Sequence, residues 1–156
     1  MTGPLFHVSQ ALYRPGDQVL PGNWGRLVLG QGPVHPFFYR ECLWEYIRAQ
    51  EFAYRLTRME AAYVFEDASF AAEWAALDQP HGYVYLVSLP PDARTDRLDM
   101  SWVTFAKQYH SFEGAQLTIR SYWRGDMRDP RQVEILTGSP LTIVQRLTPI
   151  LENGAE

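Results

Sequence analysis

Cysteine is almost missing from this chain: Cys42 is the only one in 156 residues. A lone thiol permits no internal disulfide and no Cys-based zinc cluster, so the core must hold the fold, and a reducing compartment is compatible. No apolar run is long enough to cross a bilayer. The opening residues MTGPLFHVSQ lack the basic segment and apolar core of a secretory leader. These absences predict a soluble, unprocessed, cytoplasmic protein with no membrane partner. Positive charge is scarce as well: 14 Lys and Arg against 18 Asp and Glu leave a net charge of −4. Such a balance offers no broad basic field to nucleic acid. The chain also has no Gly-x-Gly-x-x-Gly, Walker loop, Gly-x-Ser-x-Gly or His-Glu-x-x-His, which removes the chemistries those motifs serve.

What remains is a chain rich in core-forming residues, 46% apolar with eight Phe, nine Tyr and five Trp. At this length one domain over residues 1–156 is expected, with no repeat or linker to divide it. LFHVS at 5–9 reads as a strand, and 14–22 is a turn-rich segment punctuated by Gly16, Pro21 and Gly22. Leu43, Trp44, Ile47 and Tyr54 recur at helical spacing across 38–56. AAYVF at 61–65 predicts a strand, followed by a helix capped by Asp67 and carrying Phe70, Trp74 and Leu77 on one stripe. GYVYLVSL at 82–89, AQLTIRSYW at 115–123, VEIL and LTIVQRL predict further strands. Turns as short as TGSP exclude parallel crossovers. The reading is therefore an α+β domain with its helices concentrated in the N-terminal half.

Glu134 is the residue that asks for an explanation, because a carboxylate in the short apolar run QVEIL is penalised if buried without a partner. It sits on a solvated face or is held there for chemistry. Strand periodicity places Gln132, Glu134 and Leu136 on one face and Val133 and Ile135 on the other. His7, His35, His81 and His110 are scattered singly, as surface or satisfied core imidazoles usually are. Phe70 and Trp74 read as the buried stripe of their helix, Tyr122, Trp123 and Gly125 as core and turn, and Cys42 as an inert thiol. Arg40, Glu41 and the RDPR run at 128–131 read first as surface charge, with contact to an acceptor substrate as the lesser reading.

Taken in order, LFHVS, YRPGDQVLPG, AAYVFEDASFAAEWA, GYVYLVSL and VEILTGSPLTIV resemble the successive segments of an ADP-ribosyltransferase domain of the His-Tyr-Glu type. The first four also resemble those of the rifamycin ADP-ribosyltransferases. The resemblance runs from about residue 5 to 147, leaves 98–130 unmatched, and implies a split mixed or antiparallel sheet. It implies NAD as substrate and a transferase that cleaves the nicotinamide glycosidic bond, with no metal expected. Glu134 would stabilise the oxocarbenium-like ribose and bond its 2′-hydroxyl. Gln132 would assist the acceptor, and His7, with Ser9 on its face, would orient the ribose and nicotinamide. YVFED resembles the Tyr-Phe-Ala-Asp segment of poly-ADP-ribose polymerases, so Tyr63 and Phe65 match its stacking positions, although Trp74 replaces the tyrosine expected in the following helix. Arg58 could hold the diphosphate as a planar fork, or be solvated.

The acceptor stays open among protein, nucleic acid and small molecule. A bacterial toxin or effector, delivered into a target cell and met by a neutralising partner protein, is one form the family takes. An NAD glycohydrolase, and a catalytically silent module that binds a ligand or partner, are the alternatives.

Overall fold

The computed structural model describes residues 3–77, 82–105 and 111–147. His81 and His110 lie outside them. Seven strands, β1 (Leu5–Ser9), β2 (Gln18–Val19), β3 (Ala62–Phe65), β4 (Tyr83–Ser88), β5 (Thr95–Asp99), β6 (Val133–Thr137) and β7 (Leu141–Leu147), form one sheet. Its order is β2-β7-β4-β1-β3-β6-β5 and each pairing is antiparallel. Among the described residues five helices accompany it: α1 (Asn23–Gln31), α2 (Phe38–Glu51), α3 (Ala68–Leu77), α4 (Ser101–Phe105) and α5 (Phe112–Arg124). The α+β reading holds at this level.

The helices are not confined to the N-terminal half. Residues 115–123, expected as a strand, belong to α5. The reason is visible in the spacing of Ala115, Ile119, Tyr122 and Trp123, which fall on one helical stripe and are all buried. Ser111 caps the helix by accepting from the Gly114 amide at 3.0 Å, and Gly125 ends it in the left-handed region at φ 86°. Asp67 does the same for α3, accepting from the Phe70 amide at 2.7 Å, as expected.

One sheet face packs Phe6, Phe65, Leu98 and Leu136 against Trp44 and Ile47 of α2 and Ile119 and Trp123 of α5. The other gathers Leu5, Val64, Tyr85, Ile135, Leu141 and Ile143 into a second core with no helix in it. Connectivity explains how that face buries itself. β6 and β7 lie four places apart in the sheet, about 19 Å if it were flat. The chain from Thr137 to Leu141 reaches at most about 14 Å. The sheet must curl, and its curl closes the second core.

α1 sits against the chain just before β3, where the Gly22 amide donates to the Ala61 carbonyl at 3.1 Å. Gly25 faces the backbone of Met59 so closely that a β-carbon would lie 1.9 Å from its carbonyl oxygen. Gly25→Ala is therefore expected to cost about 1–3 kcal/mol through overpacking, read as a lower denaturation midpoint. An unchanged midpoint would mean that α1 rides freely on this segment.

Candidate functional site

β1 pairs with β4 along its whole length, and β3 pairs with β6 along its own. Between β1 and β3 a single registered pair remains, Phe6 with Phe65. Beyond it the strands part, and His7 Nδ1 lies 2.8 Å from the Tyr63 carbonyl. A carbonyl only accepts, so Nδ1 carries the proton and Nε2 keeps the lone pair of a neutral ring. Burial lowers the His7 pKa from 6.5 more than this bond raises it.

The parting opens a cavity of about 340 Å³. His7, Ser9, Arg58, Tyr63, Phe65 and Glu134, drawn from three strands and one loop, all border it. Trp74 also borders it, whereas Phe70 packs edge-on against Phe65 at 5.3 Å between ring centres. Gln132 does not join the wall. Strand geometry begins only at Val133, so Gln132 closes a 3₁₀ turn (Pro130–Gln132) and its amide donates to Asp129 at 2.9 Å. The shared face expected for Gln132 and Glu134 is not formed.

Glu134 is 2% exposed, on the sheet face covered by α2 and α5 rather than on a solvated one. Its Oε1 accepts from Arg58 Nη1 at 2.6 Å and from the Tyr122 hydroxyl at 2.7 Å. Arg58 also turns Nε and Nη2 toward Glu41, at 3.2 and 3.4 Å, while Arg40 Nη2 donates to Glu41 at 3.0 Å. The expectation that Arg40 and Glu41 are surface charge fails for both: Glu41 is 1% exposed, and the Arg40 side chain is 18% exposed and borders the cavity. Two guanidinium groups and two carboxylates thus alternate through the wall, with no net charge. Arg58 is caged further by the Trp44, Tyr63 and Tyr122 rings, within 5.2–5.8 Å. The Tyr63 hydroxyl donates to the Arg58 carbonyl. Arg58 is neither solvated nor free to fork a diphosphate.

Upstream, Asp96 positions the approach to Arg58 by accepting from the Leu56 amide at 2.6 Å and Arg55 at 3.2 Å. Burial opposes ionisation of Glu41, yet Arg58 and Arg40 outweigh it and hold its pKa below the ordinary 4.5. Burial likewise works against the Arg58 charge, but the Glu41 and Glu134 carboxylates raise its pKa well above normal. Burial pushes both tyrosine hydroxyls upward, so they remain protonated donors.

The signs give a pH prediction. The lowered His7 pKa contributes stability that is complete above 6.5 and lost as pH falls toward the folded value. The lowered Glu41 pKa contributes stability that is complete above 4.5 and lost on further acidification. The thermal midpoint should therefore decline in two stages between pH 7 and pH 3. A midpoint level from pH 7 to pH 5 would contradict the buried neutral His7.

Glu41, Tyr122 and Trp24 are wall or network residues that reading the sequence did not single out for function. Glu41 was detectable, because it lies three and six residues before Trp44 and Ile47 on the buried stripe of α2. His35, in contrast, is the satisfied core imidazole expected, accepting from the Phe37 amide at 3.1 Å. Among the described residues no group of three His, Cys, Asp or Glu is placed to hold a metal ion, and no helix is long and apolar enough to cross a membrane.

Residues 33–149 match a family described as protein of unknown function (DUF2441). The chain belongs to the DUF2441 family. The match contains Arg40, Glu41, Arg58, Tyr122 and Glu134, the whole buried network, whereas His7 and Ser9 precede it. No curated protein matches this DUF2441 chain.

Proposed function

We propose that the chain is an NAD-dependent mono-ADP-ribosyltransferase built on an ADP-ribosyltransferase-like split sheet. The observation that carries this reading is the convergence of His7, Tyr63, Phe65 and Glu134, from three different strands, on the one cavity where β1 and β3 part. A neutral His7 adds no positive charge beside the cationic nicotinamide, and its Nε2 can accept from a ribose hydroxyl. Tyr63, Phe65 and Trp74 supply aromatic surface for stacking. Glu134 is oriented by two donors on Oε1, which leaves Oε2 to face the ribose as positive charge develops on it. The acceptor, whether protein, nucleic acid or small molecule, attacks the anomeric carbon as nicotinamide leaves. A neutralising partner protein belongs to this reading if the enzyme serves as a toxin.

The pairing of Glu134 with Arg58 favours a second reading, a silent binding module, because the nearby cation offsets the charge that catalysis needs. NAD labelled in its adenine ring, incubated with the protein and a cell lysate, separates these. Label in the protein, nucleic acid or small-molecule fraction is expected for a transferase. Free labelled ADP-ribose alone marks a glycohydrolase, and intact NAD the silent module.

A further inference from the structure

Two residues that border the cavity carry buried hydrogen-bond donors with nothing to donate to. Trp24 on α1 and Arg40 on α2 both border the cavity, and both have a buried N–H, the indole Nε1 and the guanidinium Nε, without a partner. Phe37 ties them together: the Arg40 guanidinium lies 4.0 Å over its ring, and the Trp24 ring is 6.2 Å away. Leaving such donors buried and unmet is costly, and the two residues come from different helices. Arg40 spends only Nη2 on Glu41, whereas Arg58 is fully engaged. Burial lowers the Arg40 pKa, and Glu41 does not fully offset it.

We propose that Trp24 Nε1 and Arg40 Nε form the seat of an anionic, oxygen-rich group of the ligand, of the phosphoryl class, held over the Phe37 edge of the cavity. This deepens the NAD reading, on which it rests for the identity of that group as the dinucleotide's diphosphate. It transfers to Arg40 the anion-binding part that the sequence had offered to Arg58. An anion here would complete the alternation of charge that runs from Glu134 through Arg58 and Glu41 to Arg40.

The test is calorimetric titration of the full chain with ADP-ribose, adenosine and inorganic pyrophosphate, using wild type, Trp24→Phe and Arg40→Lys. Trp24→Phe keeps an aromatic ring and removes the indole N–H together with the five-membered ring that carries it. Arg40→Lys keeps the cation and removes Nε–H, and unchanged thermal midpoints verify that both variants fold. Each variant is expected to weaken ADP-ribose and pyrophosphate by roughly ten- to a hundredfold, the effect of one hydrogen bond to a charged group, and to leave adenosine unchanged. Wild type binding pyrophosphate but not ADP-ribose, with the same loss in both variants, would uphold the seat and remove the NAD reading. ADP-ribose bound equally by all three proteins would overturn the seat and leave the NAD reading standing. Wild type binding neither anion overturns the seat.

Discussion

Arg58→Met is expected to destabilise the protein by about 3–5 kcal/mol, because it removes one partner from a buried ionic network. At this chain length that is a fall of roughly 6–20 °C in thermal midpoint. The size follows from what is stranded. Glu134 keeps only the Tyr122 hydroxyl, and Glu41 keeps only Arg40. Methionine fills the ring cage but leaves two buried carboxylates with one cation between them. Adding Glu134→Met to the same chain should recover part of the loss, since a buried pair replaced whole by apolar groups is often tolerated. Urea unfolding of the single and double variants measures this. A loss below about 1 kcal/mol would place the pairs in the exposed class.

The second large effect is chemical. Glu134→Gln keeps an acceptor oxygen for Arg58 and Tyr122, so it should disturb the fold less than Arg58→Met does. It removes the negative charge proposed to meet the oxocarbenium-like ribose. The rate of NAD cleavage should fall by about 10²- to 10³-fold, with NAD affinity within severalfold of wild type, the pattern of an interaction made in the transition state. Steady-state rates and a parallel NAD titration give the two numbers. An affinity loss as large as the rate loss would make Glu134 a binding residue.

Much of the architecture was legible because its strands and helices carry simple periods. β1, β3, β4, β6 and β7 were expected close to where they lie, as were α2 and α3. α5 was misread because Thr118, Ile119, Tyr122 and Trp123 are residue types that favour strands. Their burial follows the 3.6 period, and the Ser111 and Gly125 signals flanking it agree. α1 was missed since Leu27 and Leu29 are exposed and only Gly25 and Val28 are buried, an inverted pattern fixed by the close approach to Met59.

The site was legible in part for a different reason. His7, Tyr63, Phe65 and Glu134 stand on strands that simple periodicity revealed, and their meeting at one cavity follows from the sheet order, in which β3 lies between β1 and β6. Glu41 and Arg58 are 17 residues apart and Arg58 and Glu134 76 apart, and nothing local links them. A charge looks like a surface charge until the partner that buries it is known. Gln132 failed because Pro130 begins a 3₁₀ turn that delays the strand to Val133.

Nicotinamide release from NAD by the purified wild-type chain, followed chromatographically with a protein-free control at neutral pH, decides whether this protein cleaves the dinucleotide. Release above the control is expected, proportional to protein concentration and accompanied by an equal amount of ADP-ribose, free or attached to an acceptor. NAD remaining intact with a folded protein, with and without cell lysate, would contradict it.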